Sequence, residues 1–167
     1  MRKINLVLIC FIMMSIYSNA QIGKGTNLAD VGIGFSSYGT PIHVGYEHLV
    51  TDEIGIGIVA NYSTYSDSGF NDDYKWTFIY GGIKGNYHFN EILELNSKFD
   101  VYGGLTLGYW KATLENDRAT TSNDYGNVAF FTGQVGGRYF FTDHFSALLE
   151  AGGGNISGVT LGVSYKF

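Results

Sequence analysis

Beyond Ala20 the apolar residues of this chain keep to alternate positions, and that period of two constrains the fold more than any other feature. Successive side chains of a strand point to opposite faces, whereas an amphipathic helix needs apolar residues three and four apart. Ala29, Val31, Ile33 and Phe35 share one parity, while Asp30, Gly32, Gly34 and Ser36 take the other. The same division sets Ile42, Val44 and Tyr46 against His43, Gly45 and Glu47. It then sets Ile54, Ile56, Ile58, Ala60 and Tyr62 against Gly55, Gly57, Val59 and Asn61. Ile79, Ile83, Tyr87 and Phe89 oppose Gly82, Lys84, Asn86 and His88; Phe99, Val101, Leu105, Leu107 and Tyr109 oppose Asp100, Tyr102, Gly104, Thr106 and Gly108. In the last three segments, Phe131, Val135, Tyr139 and Phe141 face away from Thr132, Gln134, Gly136 and Arg138. Ala147, Leu149 and Ala151 face away from Ser146, Glu150 and Gly152, and Val159, Leu161, Val163, Tyr165 and Phe167 from Thr160, Gly162, Ser164 and Lys166. The pattern predicts an all-β chain of about eight antiparallel strands, each near the roughly 9–11 residues that a tilted strand needs to cross a bilayer.

The two parities differ in charge. Every apolar face is free of Asp, Glu, Lys and Arg, whereas the opposite faces hold Asp30, Glu47, Lys84, Asp100, Arg138, Glu150 and Lys166. In a soluble sandwich the apolar rows would enclose a core and the charged rows would meet water. In a transmembrane barrel the apolar rows meet lipid and the charged rows line a narrow lumen. Glycine separates the two cases, because Gly32, Gly45, Gly57, Gly104, Gly136 and Gly162 interleave with the charges. A wetted strand surface gains nothing from so many glycines, which weaken strands. The crowded interior of a small barrel needs small residues beside large ones. The expected fold is therefore a transmembrane up-and-down antiparallel β-barrel.

The N-terminus agrees with export. Arg2 and Lys3 precede an apolar run from Ile4 to Ile16, and a polar stretch with small Ser18 and Ala20 follows. This is the layout of a secretory signal peptide, and the run is shorter than the roughly 20 residues a spanning helix requires. Cleavage after Ala20 is expected, giving a leader over 1–20 and a barrel domain over 21–167. The one cysteine, Cys10, falls inside the leader, with bulky Ile9 before it and most of the apolar run after it, unlike a lipoprotein acylation site. The net charge of −5 becomes −7 once Arg2 and Lys3 leave with the leader. That balance speaks against a nucleic-acid partner, since phosphate binding wants clustered Lys and Arg.

The connections alternate in length. Thr51-Asp52 and Thr142-Asp143 read as tight turns and Asn90 to Asn96 as a slightly longer one, whereas Thr64–Lys75 and Lys111–Gly126 read as long polar loops. Ser36–Thr40 and Gly154–Ser157 read as two shorter outer loops. Outer-membrane barrels place short turns in the periplasm and long loops outside. Tyr46, Tyr87, Tyr139 and Tyr165 each stand just before a short turn or the C-terminus, on the lipid-facing parity, where an aromatic girdle belongs.

Here a family resemblance enters. Val159-Thr160-Leu161-Gly162-Val163-Ser164-Tyr165-Lys166-Phe167 resembles the C-terminal strand signal of bacterial outer-membrane proteins, with Val163, Tyr165 and terminal Phe167 in its pattern. The whole span from Asn27 to Phe167 is similar to OmpA/OmpX-type small barrels, particularly the Bacteroidetes-like "outer membrane protein beta-barrel domain" group. The resemblance implies the outer membrane of a Gram-negative bacterium, reached through the periplasm. It also implies insertion by the barrel-insertion machinery through the C-terminal strand, and contact with outer-membrane lipid and lipopolysaccharide. With no peptidoglycan-binding domain after Phe167, wall anchoring of the OmpA kind is not implied.

Candidate functional residues lie on the inner parity. Arg138 and Glu150 are expected opposite or one diagonal apart, Asp30 and Lys166 are expected as neighbours where the first and last strands meet, and Glu47 and Lys84 extend the set. These six make a lumen charge network, either a gate or a set of buried charges satisfying one another. The loop carboxylates Asp67, Asp72, Asp73, Glu115, Asp117 and Asp124 lack any Ca²⁺-loop spacing. His43, His48, His88 and His144 read as lumen or girdle residues, with no nucleophile and base in catalytic pattern, and the glycines form no phosphate loop. No catalytic, cofactor or metal residues are therefore expected. The leading expectation is a non-enzymatic barrel with a structural or surface-interaction role in the cell envelope. A small gated channel is the alternative, followed by a secreted lipocalin-like barrel, which would need an apolar pocket, and then an enzyme acting on lipid.

Overall fold

The structure, a computed structural model, describes residues 22–36, 39–68, 73–116, 119–154 and 158–167. Its strands are β1 (Asn27–Ser36), β2 (Ile42–Leu49), β3 (Ile54–Ser68), β4 (Asp73–His88), β5 (Phe99–Asn116), β6 (Ala119–Phe140), β7 (Phe145–Gly154) and β8 (Gly158–Lys166). They form one closed barrel in sequence order, every neighbouring pair antiparallel, with β1 hydrogen-bonded to β8. Closure removes the edges that an open sheet would leave unpaired.

The parities read from the sequence are the faces of the barrel. Ile58, Ile83 and Val135 are 60%, 63% and 64% exposed on the outside. Asp30, Glu47, Lys84, Asp100 and Arg138 are buried inside. Arg138 heads the fully buried side chains, a place that a water-soluble protein gives to aliphatic residues. Leaving rows of Ile, Val and Leu in water would forfeit about 25 cal/mol for each Å² of apolar surface, and a hydrocarbon solvent removes that cost. The outer surface is therefore a lipid-facing belt.

At the short-turn end the belt finishes in touching aromatic rings. Phe145 and Tyr165 have centroids 4.9 Å apart, Tyr165 and Phe167 6.0 Å, and Phe167 and Tyr46 6.3 Å. Phe99–Tyr139 and Tyr139–Phe141 continue the girdle at 5.0 and 5.5 Å. Inside, backbones approach so closely that some inner positions accept only hydrogen. A Cβ at Gly32, paired across the β1–β8 seam with Gly162, would stand 2.6 Å from the Leu161 carbonyl oxygen.

The barrel is lopsided. β3, β4, β5 and β6 run for 15, 16, 18 and 22 residues, against 10, 8, 10 and 9 for β1, β2, β7 and β8. The stretches Thr64–Lys75 and Lys111–Gly126, expected as loops, are largely strand. β3 and β4 stay in register from Ile54↔Tyr87 out to Ser68↔Asp73. β5 and β6 pair out to Asn116↔Ala119 with register shifts between Trp110 and Ala112 and between Leu114 and Asn116. Polarity misled here because backbone pairing does not depend on an apolar face, and Thr and Tyr sit well on strands.

Past the belt the two faces exchange character. The outward side chains of the extension are Thr64, Thr77, Lys111 and Thr113, whereas the inward ones are Tyr65, Trp76, Phe78, Trp110, Ala112 and Leu114. Trp76 lies 6.1 Å from Phe78 and Phe78 6.5 Å from Trp110, ring centroid to ring centroid. Where water replaces lipid outside, polar residues move outward and aromatic ones turn inward.

Candidate functional site

The lumen is organised in three layers, beginning at the short-turn end with an apolar floor. Leu28, Leu49 and Phe140 point inward from β1, β2 and β6, meet Ile22 from the segment before β1, and expose nothing to solvent. That segment is pinned by Gly25 N–H donating to the Leu49 carbonyl at 2.8 Å and Leu49 N–H donating to Thr26 at 2.9 Å. The Lys24 N–H also donates to Asp52 Oδ1 at 2.8 Å. The floor is a stopper pinned to the end of β2 and the turn after it.

Above the floor Arg138 crosses the lumen. Its Nη1 donates to Asp100 Oδ2 at 2.7 Å, and its Nη2 to Glu47 Oε2 at 3.0 Å and Asp30 Oδ2 at 3.1 Å. Its Nε donates to Ser164 Oγ at 3.1 Å, and its guanidinium carbon stands 4.5 Å from the Tyr102 ring centre. One side chain on β6 thereby ties β1, β2, β5 and β8 together. Lys84 Nζ adds contacts to Asp30 at 3.3 Å and Glu47 at 3.9 Å. His88 places Nδ1 2.7 Å from Asp100 Oδ1 and Nε2 3.3 Å from Glu47 Oε1, an arrangement in which both ring nitrogens donate to carboxylates, as only the imidazolium can. Neutral amides extend the lattice: Asn86 Nδ2 donates to Glu47 at 2.7 Å, Gln134 Nε2 to Asn86 at 3.0 Å, and Thr106 Oγ1 to Gln134 at 3.2 Å.

The third layer is the outer mouth, a cavity of about 70 Å³ bordered by His43, Asn61, Tyr80, Phe130, Gln134 and Glu150. His43 Nδ1 stands 3.0 Å from Asn61 Oδ1, so this nitrogen carries the proton and Nε2 holds a lone pair; Nε2 is buried with no hydrogen-bond partner among the described residues. Tyr102 O–H donates to Glu150 Oε2 at 2.7 Å. Tyr80 and Phe130 meet edge to face at 5.9 Å and wall the cavity.

Of the residues singled out from the sequence, Asp30, Glu47, Lys84 and Arg138 come together in one cluster. The two expected neighbour pairs lie on adjacent strands, Arg138 and Glu150 one diagonal apart as expected, but neither forms an ion pair. Arg138 is one diagonal from Glu150, since it faces Leu148 while Glu150 faces Gly136, but it turns to the floor-side carboxylates and leaves Glu150 to Tyr102. Asp30 faces Ser164 and is held by Arg138 and Lys84, whereas Lys166 lies beyond the floor, its Nζ 5.5 Å from the Phe140 ring centre. Sequence reasoning left Asp100, His88 and Tyr102 out of the network. Their inner parity was a signal, but the direct Asp100↔Arg138 pairing needs the register of β5 against β6, which two register shifts in their polar extension hide.

The remaining histidines do structural work: His48 Nδ1 lies 2.8 Å from Asn27 Oδ1, and His144 Nδ1 lies 2.8 Å from the Lys166 carbonyl oxygen. Val163, Tyr165 and Phe167 all face outward on the last strand and its end. No group of three or more His, Cys, Asp or Glu able to hold a metal occurs among the described residues. The loop carboxylates Asp67, Asp72, Asp73, Glu115, Asp117 and Asp124 fall outside the described residues and side chains.

No model of a known protein family matches this sequence, and no curated protein matches it. Solved structures do. The outer membrane protein OprG from Pseudomonas aeruginosa superposes with a TM-score of 0.63 at 15% identity, covering 89% of this chain and 98% of that one. The N-terminal β-barrel domain of Pseudomonas aeruginosa OprF gives 0.57 at 15% identity, over 87% of this chain and 99% of that one. Ail, the attachment invasion locus protein of Yersinia pestis, gives 0.55 at 15% identity, over 86% and 99%. At these identities the likeness is one of fold: a closed, eight-stranded antiparallel barrel like those of small outer-membrane proteins.

Proposed function

We propose that this chain, with the fold of the small outer-membrane barrels, is an integral outer-membrane protein of a Gram-negative bacterium that serves envelope structure or surface interaction. On this reading residues 1–20 are a signal peptide removed on export, and Val163, Tyr165 and Phe167 address the chain to the barrel-insertion machinery. The belt then contacts outer-membrane lipid and lipopolysaccharide, and the protein carries out no catalysis. The observation that carries this reading over the channel is the closed lumen, where Arg138 binds three carboxylates above a floor of Leu28, Leu49, Phe140 and Ile22. Ions find no width past the Arg138 cluster and the floor, since an eight-stranded interior is just filled by side chains. The aromatic inner face of the tall β3–β6 wall supports a role at the outer surface.

Two measurements test the reading. Refolded protein should resist SDS in the cold and change its gel migration on boiling, and planar-bilayer recordings should stay silent. Full solubility without detergent and no heat shift would transfer the chain to the secreted lipocalin-like class. Stable unitary conductance would make it a channel.

A further inference from the structure

The charges lining the lumen do not balance: three buried carboxylates meet three buried cations, and the half-buried Glu150 is left over. Among the described residues, Asp30, Glu47, Asp100 and Glu150 are the lumen carboxylates, and Lys84, Arg138 and His88 are the cations set against them. All three cations are engaged by Asp30, Glu47 and Asp100, and Glu150 has no ion-pair partner among the described residues. Among the described residues its hydrogen-bond partner is the neutral Tyr102 hydroxyl at 2.7 Å. The excess negative charge therefore sits at the outer mouth and borders an open cavity.

The other walls of that cavity suit the same kind of guest. His43 borders the cavity, and its buried Nε2, beside Gly45, has no hydrogen-bond partner among the described residues. Tyr80 and Phe130 supply aromatic rings, and ring faces attract cations. Outward from them runs the aromatic row of Trp110, Phe78 and Trp76 on the inner face of the tall wall, a path of further cation-attracting rings. A volume of about 70 Å³ holds an ammonium head with its first methylenes. An anion would meet the Glu150 carboxylate, and a neutral guest would leave that charge uncompensated.

From this juxtaposition we infer that the outer mouth binds a primary ammonium group, with Glu150 as counter-charge, His43 Nε2 as hydrogen-bond acceptor and Tyr80 and Phe130 as the aromatic wall. The ammonium comes either from a small soluble amine or from a lysine side chain of a surface partner. The inference rests on the barrel reading above, because it needs this mouth to open to the cell exterior.

Titration calorimetry of the refolded barrel in detergent micelles tests it, with n-butylammonium chloride as probe and n-butanol as its neutral match. Saturable binding of the ammonium and none of the alcohol is expected. Glu150→Gln keeps an acceptor for Tyr102 but removes the charge, and should weaken binding by about tenfold or more, the scale of one charge-assisted contact. Phe130→Leu should weaken it by a smaller factor. A Gly-Lys-Gly peptide run beside the free amine separates the sources, the tighter binder naming the origin of the ammonium. Equal binding of amine and alcohol, unchanged binding by Glu150→Gln, or no binding by a barrel that still shows its heat shift overturns the inference alone. Loss of the heat shift in the unmodified protein would instead sink the barrel reading.

Discussion

Arg138→Met is the most informative single perturbation. Arg138 donates to Asp100, Glu47, Asp30 and Ser164 at 2.7, 3.0, 3.1 and 3.1 Å, with no solvent in contact. Methionine fills much of the volume, so the cost is electrostatic. Three charge-assisted bonds at about 1.5–3 kcal/mol each would suggest a larger loss than is expected, because the contributions do not add. Lys84 and His88 remain and re-pair part of the lost charge. Removing one partner of a buried charge cluster typically destabilises by about 3–5 kcal/mol, and we expect about 4 kcal/mol. Arg138→Lys keeps the charge but cannot fork toward several carboxylates at once, and should cost about 2 kcal/mol. Urea unfolding in lipid vesicles, followed by the cold-gel migration of the folded form, measures both. A loss below about 1 kcal/mol for Arg138→Met, the range of an exposed pair, would refute the claim that the network holds the lumen together. So would equal losses for Met and Lys.

Further expectations follow from the same geometry. Gly32→Val places a Cβ against the Leu161 carbonyl, whereas Gly85→Val meets nothing within 4 Å; the first should lower refolding yield and cost about 1–3 kcal/mol, the second should be silent in the same unfolding assay. Ile58→Arg puts a charge in the lipid belt and should cost about 2–4 kcal/mol in vesicles, while Thr64→Arg, outward on the extension of the same strand, should cost under about 1 kcal/mol. Equal costs at the two positions would refute the placement of the belt edge between them. Trp76 and Trp110 should be quenched by aqueous iodide and untouched by brominated acyl chains, since both stand on the inner face above the belt. The reverse quenching would place the tall wall in lipid.

Period-two alternation by itself determined that this chain makes strands, which side of each strand meets lipid, and that Asp30, Glu47, Lys84, Asp100, Arg138 and Glu150 turn inward. Those properties are local: the parity of a strand is carried by its own residues and survives any error in how strands are paired. The tertiary structure decided what parity cannot carry. Register across β5–β6 set Asp100 opposite Arg138 and drew the guanidinium away from Glu150. Pairing beyond the bilayer turned two polar stretches into a tall wall. Closure brought Leu28, Leu49, Phe140 and Ile22 into one floor. The physical reason is that each of these contacts joins residues far apart in the chain, so its partner is chosen by the distances the closed barrel imposes and not by any neighbour in sequence.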